Sequence, residues 1–250
     1  MKNLNKFYID GSWVTPNSSQ TMAVLNPATE MQIGTIALGN EIDVNTAVAA
    51  ATKAFASYSQ TSKVERLELL HRLMVATQER FEELARAMST EMGAPISMAR
   101  DAHADAAVGH LQGFIDALEK LDQRGLLANG DIQLCEPIGV CGLITPWNWP
   151  MNQIALKVVP ALATGCTCVL KPSEHTPISA MIYAEIIHSA GYPAGVFNLV
   201  QGDGPTVGAA LSRHSDIQMM SFTGSTRAGT AVTRDAAETV KRVTLELGGK

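Results

Sequence analysis

The chain has 250 residues, 46% of them hydrophobic and 17% charged, which is enough apolar side chain for a sizeable core and too much for a disordered segment. Its formal charge of -5, from 24 acidic and 19 basic residues, comes without a long basic run, so it offers no electrostatic footprint for nucleic acid. No window approaches the roughly eighteen apolar residues that span a bilayer, and the start MKNLNKFYIDGSW lacks a secretory signal, so no membrane partner is expected and the expected location is cytoplasmic.

Residues 6–39 hold short apolar runs broken by Asp10-Gly11, Pro16-Asn17 and Asn26-Pro27, which predicts a small β region built on hairpin turns. From Asp43 the pattern turns helical. Ser62 and Glu65 form a capping box, and Val64, Leu67, Leu70, Leu73, Met74, Phe81 and Leu84 then recur at helical spacing until Gly93-Ala94-Pro95 ends the run. A second, alanine-rich helix is expected over 97–120, and the alternating LLANGDIQLC, centred on Asn129-Gly130, predicts a β-hairpin.

From Ile138 the strand-like runs IGVCGLI, CTCVLK, VFNLV, IQMMSF and RVTLEL alternate with helical ones. One crossover is marked at both ends, by Thr176-Pro177 at its start and Gly191 at its stop. Repeated βαβ predicts an α/β fold with a doubly wound parallel sheet, whose ligands sit beyond the carboxyl ends of the strands. Four cysteines, Cys135, Cys141, Cys166 and Cys168, form no CxxC pair and read as reduced, buried thiols; no metal-ligand pattern occurs among the histidines, and no metal is expected.

The chemistry-bearing turns follow those strands. SFTGSTRAG sets Gly224 and Ser225 at a helix start, which suits a phosphate and equally suits a plain helix cap. QGDGPTVG carries Gly202, Gly204 and Gly208, one residue short of the dinucleotide fingerprint. In ITPWNWPMN, Trp147 and Trp149 enclose Asn148, a neutral amide donor suited to an oxyanion, with a rigid turn packed by the tryptophans as the alternative. In VLKPSEHTP, Lys171 and Glu174 could hold the hydroxyls of a ribose or form a solvated ion pair. Glu246 interrupts a strand-like run between Leu245 and Leu247.

Taken in order, PWNWP, the helix ending PALATGC, KPSEHTP, FTGSTRAG and LELGGK resemble the NAD(P)-dependent aldehyde dehydrogenase superfamily, and the similarity runs through essentially the whole chain, from IDGSW and NPATE to the final lysine. The resemblance implies a modified Rossmann fold with an N-terminal hairpin and helical segment. Residues 1–122 and 141–250 would form a discontinuous NAD-binding domain, residues 123–140 a protruding oligomerisation hairpin, and a catalytic domain would follow residue 250. It implies oxidation of an aldehyde to a carboxylic acid through a cysteine thiohemiacetal and thioester. The cysteine lies beyond Lys250, since none of those present matches its motif. The implied cofactor is NAD, with NADP as the alternative, and the implied assembly is a homodimer or homotetramer of the full-length protein.

Residue by residue, the resemblance gives Asn148 to the oxyanion hole and Glu246 to the general base that activates the deacylating water. Trp147 and Ser225 become pyrophosphate contacts, Lys171 and Glu174 the adenosine-ribose binders, and Ser173 and Gly208 further cofactor-binding positions. Ile144, Thr145, Pro146 and Gly204 line the adenosine groove; Phe222, Thr223 and Gly224 form the phosphate turn; Leu247 and Gly248 lie near the nicotinamide. A carboxylate held among leucines is expected to have the raised pKa of a base working near neutrality. Facing the ribose, Glu174 would repel a 2′-phosphate and favour NAD. The competing reading is a short, non-catalytic nucleotide-binding or subunit-interaction protein; a cysteine beyond Lys250 and cofactor reduction separate the two.

Overall fold

The computed structural model describes residues 4–248. The closing Gly249 and Lys250 of the LELGGK motif lie outside the described residues.

The chain opens with a tight hairpin, β1 (Phe7–Ile9) and β2 (Ser12–Val14), turned through Asp10 and Gly11 at φ 50° and 74°. Two positive φ values in succession match the right-handed twist of the flanking strands. A second hairpin pairs β3 (Thr21–Leu25) with β4 (Gln32–Ala37). Helix α1 (Glu41–Tyr58) follows, capped reciprocally by Asn40 and Asp43. The capping box expected at Ser62 and Glu65 opens α2 (Lys63–Glu79).

The single helix expected up to Gly93 is in fact two, because Arg80 leaves the helical region at φ -106° and ψ 15° before α3 (Phe81–Met92). The break has a tertiary cause: the Arg80 guanidinium is shared between Glu83 at 2.7 Å and Glu185 at 2.8 Å, which lies far along the chain. Gly93, at φ 84°, ends α3. The alanine-rich run begins as α4 (Ile96–Met98), passes through a π-helical turn at Ala99–Ala104 and continues as α5 (Asp105–Lys120). Strands β5 (Arg124–Leu126) and β6 (Ile132–Leu134) then form the expected hairpin, with Gly130 at φ 91°.

The βαβ series runs β7 (Val140–Ile144), α6 (Pro150–Ala163), β8 (Thr167–Lys171), α7 (Pro177–Ser189), β9 (Phe197–Leu199), a π turn at Gly204–Gly208, α8 (Ala209–Arg213), β10 (Met219–Gly224), α9 (Thr226–Ala237) and β11 (Arg242–Leu247). All five strands are parallel, in the order β11-β10-β7-β8-β9. The opening hairpin, expected as part of a small β region, extends this sheet: β1 pairs antiparallel with β9 through Tyr8 and Leu199. The strand order reverses beside β7, so its carboxyl end and that of β10 define the crevice where such sheets bind ligands.

Helices cover both faces. On one, α6 and α7 bury Cys141, Leu143, Cys168, Leu170, Phe197 and Leu199. On the other, α1, α8 and α9 bury Val140, Ile144, Val169, Met220 and Phe222. Thr176 and Pro177 do start α7, but the Thr176 side chain makes no cap bond. Pro177 has no N–H, and the first free amides, of Ile178 and Ser179, instead donate to the buried Glu91 carboxylate of α3 at 2.5 and 3.0 Å. No helix among the described residues is long and apolar enough to cross a membrane.

Candidate active site

At the switch point a cavity of about 390 Å³ is lined by Ile144, Gly204, Pro205, Gly208, Phe222 and Arg227, among others. It thus gathers residues from three separate turns that the resemblance assigned to one groove. The glycines shape it in different ways. A Cβ on Gly204 would meet nothing within 4 Å, so the backbone there is open to a ligand; one on Gly208 would lie 3.7 Å from Ile144 Cδ1 and 4.0 Å from Lys171 Cδ. The Asp203 carboxylate caps the π turn by accepting from the Thr206 amide at 2.7 Å.

Lys171 ends β8 beside this cavity and is 3% exposed, with Nζ donating to Glu174 Oε2 and to the Pro172 carbonyl, both at 3.0 Å. Burial lowers the Lys171 pKa, and Glu174 opposes that. Burial alone would raise the Glu174 pKa, but the Lys171 charge and the hydrogen bonds outweigh it and hold the carboxyl below its usual value. The pair is therefore built into the sheet edge, unlike a solvated surface pair. Ser173 is buried and accepts from the His175 amide at 3.3 Å.

Ser225 caps α9, its Oγ accepting from the Ala228 amide at 3.2 Å, while its own O–H stays free to donate. Gly224 ends β10 in front of that cap, beside the Phe222 ring, where a Cβ would meet Phe222 Cζ at 2.6 Å. After β7, the Thr145 amide donates to the Lys171 carbonyl at 3.2 Å and Pro146 leads outward. Asn148 is exposed. Trp149 packs, stacking on His103 of the π turn before α5 at 4.4 Å, whereas Trp147 is 54% exposed, so the tryptophans do not form the joint packing of a rigid turn. Trp147 borders a different hollow, of about 700 Å³, with Met22, Asn26, Glu91 and His175.

Glu246 corrects one expectation. It is not held among leucines. Strand alternation turns Leu245 and Leu247 toward α9, where a Cβ on Gly229 would meet Leu247 Cδ2 at 2.6 Å and Leu245 Cδ1 at 3.6 Å. Glu246 is exposed on the opposite face, level with Thr223 of β10, and Gly248 is also exposed just beyond it. The described residues supply no desolvating pocket for the carboxylate.

What they supply is a polar strip. Ser221 and Thr223 of β10 lie level with Thr244 and Glu246 of β11 on the α6 side of the sheet. Into it α6 sends Lys157, 7% exposed, whose Nζ donates to Ser221 Oγ at 2.9 Å. Sequence reading passed over Lys157 as part of an apolar helix, although a lysine inside IALKVVPALA was the available signal.

Three thiols are buried as expected, but Cys135 is exposed on the hairpin segment, where no second layer covers it. Hydrogen bonds from Cys141, Thr164 and the amides of residues 138 and 139 lower the Cys166 pKa to about 6. Cys166 nevertheless sits before β8, at the end of the sheet away from the crevice.

The chain matches the model of the aldehyde dehydrogenase family over residues 13–250. It is 53% identical over 251 residues to a 3-succinoylsemialdehyde-pyridine dehydrogenase from a Pseudomonas species, a match covering all of this chain and 52% of that protein. Among solved structures it resembles a mutant of aldehyde dehydrogenase C of Pseudomonas syringae, complexed with NAD+ and octanal, at TM-score 0.98 and 52% identity over 100% of this chain and 51% of that one. It also resembles an aldehyde dehydrogenase of Bartonella henselae at TM-score 0.97 and 48% identity, over 98% and 52% of the respective chains. The chain spans about half the length of the relatives it matches. With a family model covering nearly all of it and the switch-point crevice in place, this chain belongs to the aldehyde dehydrogenase family.

Proposed function

We propose that the chain forms the cofactor half of an NAD-dependent dehydrogenase that oxidises an aldehyde to a carboxylic acid, with the nucleophilic cysteine supplied beyond Lys250. The observation that carries this reading is the buried Lys171, paired to Glu174 at 3.0 Å at the edge of a cavity walled by Gly204, Gly208 and Ile144. A flat adenine fits an apolar slot of about 390 Å³, and the adjoining lysine and carboxylate match the hydroxyls of a ribose. Ser225 and the first turn of α9 would hold the phosphates, with Thr145, Pro146, Trp147, Ser173, Phe222, Thr223 and Gly224 around them and Leu247 and Gly248 beside the nicotinamide. When bound, that cofactor accepts the hydride.

The chain's own residues do the rest. The Asn148 amide donates to the oxygen that gains charge when the aldehyde carbon is attacked. The Glu246 carboxylate takes a proton from the water that releases the acid. Residues 1–122 and 141–250 act as the cofactor domain. The hairpin of residues 123–140 is an oligomerisation element; its exposed Leu126, Leu127, Ile132 and Leu134 are what a homo-oligomer would cover. We place the protein in the cytoplasm.

The relatives set the substrate panel, since one is named for a pyridine semialdehyde and another was solved with octanal. The test is NAD reduction by the full-length protein with pyridyl and straight-chain aldehydes. Aldehyde-dependent reduction supports the reading. NAD binding without turnover of any aldehyde, in a protein that carries the downstream cysteine, would overturn it.

A further inference from the structure

Helix α7 starts without a cap of its own. Its N-cap Thr176 makes no side-chain hydrogen bond, and the first turn is held instead by a carboxylate from α3. Glu91, 3% exposed, accepts from the Ile178 amide on Oε2 at 2.5 Å, and on Oε1 from the Ser179 amide at 3.0 Å and the Ser179 hydroxyl at 2.5 Å. At the opposite end of the same two helices, the Arg80 guanidinium just before α3 meets Glu185 of α7 at 2.8 Å. The helices therefore run antiparallel and are fastened at both ends.

Desolvating a carboxyl group is unfavourable, and a local Ser or Asn cap would satisfy the same amides without burying one. What the remote group adds is position. Pro177 stands three residues after Glu174, and the turn between β8 and α7 is tight: the Thr176 amide donates to the Ser173 carbonyl at 3.2 Å and the His175 amide to Ser173 Oγ at 3.3 Å. At its β8 end the turn is tied by Lys171 Nζ, through the Pro172 carbonyl and Glu174 Oε2. An ammonium on a flexible stem imposes little direction, so it follows Glu174 and does not place it. On one flank His175 and Thr176 border the hollow of about 700 Å³, and packing does not fix the turn there. Its place is set from the α7 end.

We propose that Glu91 is a positioning residue for the cofactor: by gripping the first turn of α7 it fixes residues 172–176 and so sets Glu174 against Lys171 for the hydroxyls of the adenosine ribose. This rests on the reading of the Lys171–Glu174 pair as the ribose site. Glu91 itself touches no cofactor; it acts through the backbone of α7, from a helix that lies outside the βαβ series.

The test is isothermal titration of the full-length protein with NAD and with ADP-ribose, which keeps the adenosine ribose and lacks the nicotinamide. Glu91→Gln puts an amide NH2 where one acceptor oxygen stood, and both ligands should weaken alike, by about fivefold. KM for NAD should rise with the Kd, while kcat at saturating NAD changes by less than about twofold. Ser179→Ala, which removes only the hydroxyl donor, should act the same way by less, and it carries the test alone if Glu91→Gln does not fold. Arg80→Ala loosens the far end of the same helix pair, so it should lower the thermal midpoint and leave NAD affinity unchanged. On a Glu174→Ala background, Glu91→Gln should weaken NAD no further, because the group it positions is gone. Parent affinity in folded Glu91→Gln and Ser179→Ala, or an undiminished further loss on the Glu174→Ala background, overturns the inference and leaves the ribose reading standing. Unchanged NAD affinity in Glu174→Ala overturns the ribose reading instead, and the inference with it.

Discussion

Replacing Glu174 by Gln tests the cofactor reading at its most specific point. The change is nearly isosteric and preserves an acceptor for Lys171 Nζ, now 3.0 Å from the carboxylate oxygen, but it removes the one negative charge of the pair. The Glu174 side chain is 24% exposed, so an effective dielectric of about 40 is appropriate. A 2′-phosphate of charge near -1.5 about 6 Å away would then be repelled by about 2 kcal/mol, or roughly 30-fold in affinity. The variant should bind NADP about 10- to 100-fold more tightly than the parent, while NAD weakens by a few-fold through the loss of a charged acceptor to its ribose. Isothermal titration of both cofactors into the parent and Glu174→Gln full-length proteins measures this directly. An unchanged ratio of NAD to NADP affinity would mean that the carboxylate does not face the ribose, and the adenosine assignment of the Lys171–Glu174 pair would fall with it.

Three further outcomes follow from the geometry. Burial pushes the Glu91 carboxyl up to about 7 against the opposing hydrogen bonds from Ser179 and Ile178, so the folded state keeps a proton that the unfolded chain releases. Stability should therefore fall as pH rises from about 4.5 to about 7, by up to about 3 kcal/mol, and urea midpoints of Glu91→Gln should lose that slope; parallel profiles would refute it. Asn148→Ala should lower kcat by about 100-fold or more with little change in NAD affinity, and an unchanged kcat would remove the residue from the oxyanion hole. Leu126→Asp with Leu134→Asp, which charges the exposed hairpin, should reduce the full-length assembly to a smaller species by light scattering, whereas an unaltered mass would show that the hairpin is not the contact.

The local signals were legible in the sequence. The Ser62 capping box, Gly130 in its hairpin and Gly191 after α7 appear where turn and cap chemistry put them. What escaped is non-local. Nothing between Glu79 and Phe81 breaks a helix by propensity; the break at Arg80 follows from Glu185, and the cap of α7 comes from Glu91. The pairing of β1 with β9 joins segments with no local cue in common. Glu246 is a different case, because its correct side was readable: a two-residue period places a residue opposite both of its neighbours, so TLEL already turned the carboxylate away from its leucines. Lys157 was likewise visible as the one charge in an apolar helical run, but its meaning needs β10 beside it.

That division of labour on β10 depends on register. Phe222 lines the nucleotide-sized cavity on one face, while Ser221 and Thr223 make the polar strip on the other. A slip of one residue would drive hydroxyls into the cavity and a phenyl ring under Lys157. Gln218 stands where such a slip is prevented. Its amide donates to the Val140 carbonyl at 3.0 Å and its carbonyl accepts from the Arg242 amide at 3.1 Å. Its side-chain oxygen also accepts from the Val140 amide at 2.7 Å, so one residue ties β10 to both neighbours. The side chain can lie there because Gly139, at φ 131°, has no Cβ; one built on it would come within 2.3 Å of the Gln218 oxygen. The glutamine clamp at the amino end of the strands thus fixes which side chains of β10 turn toward the cavity and which turn toward Lys157.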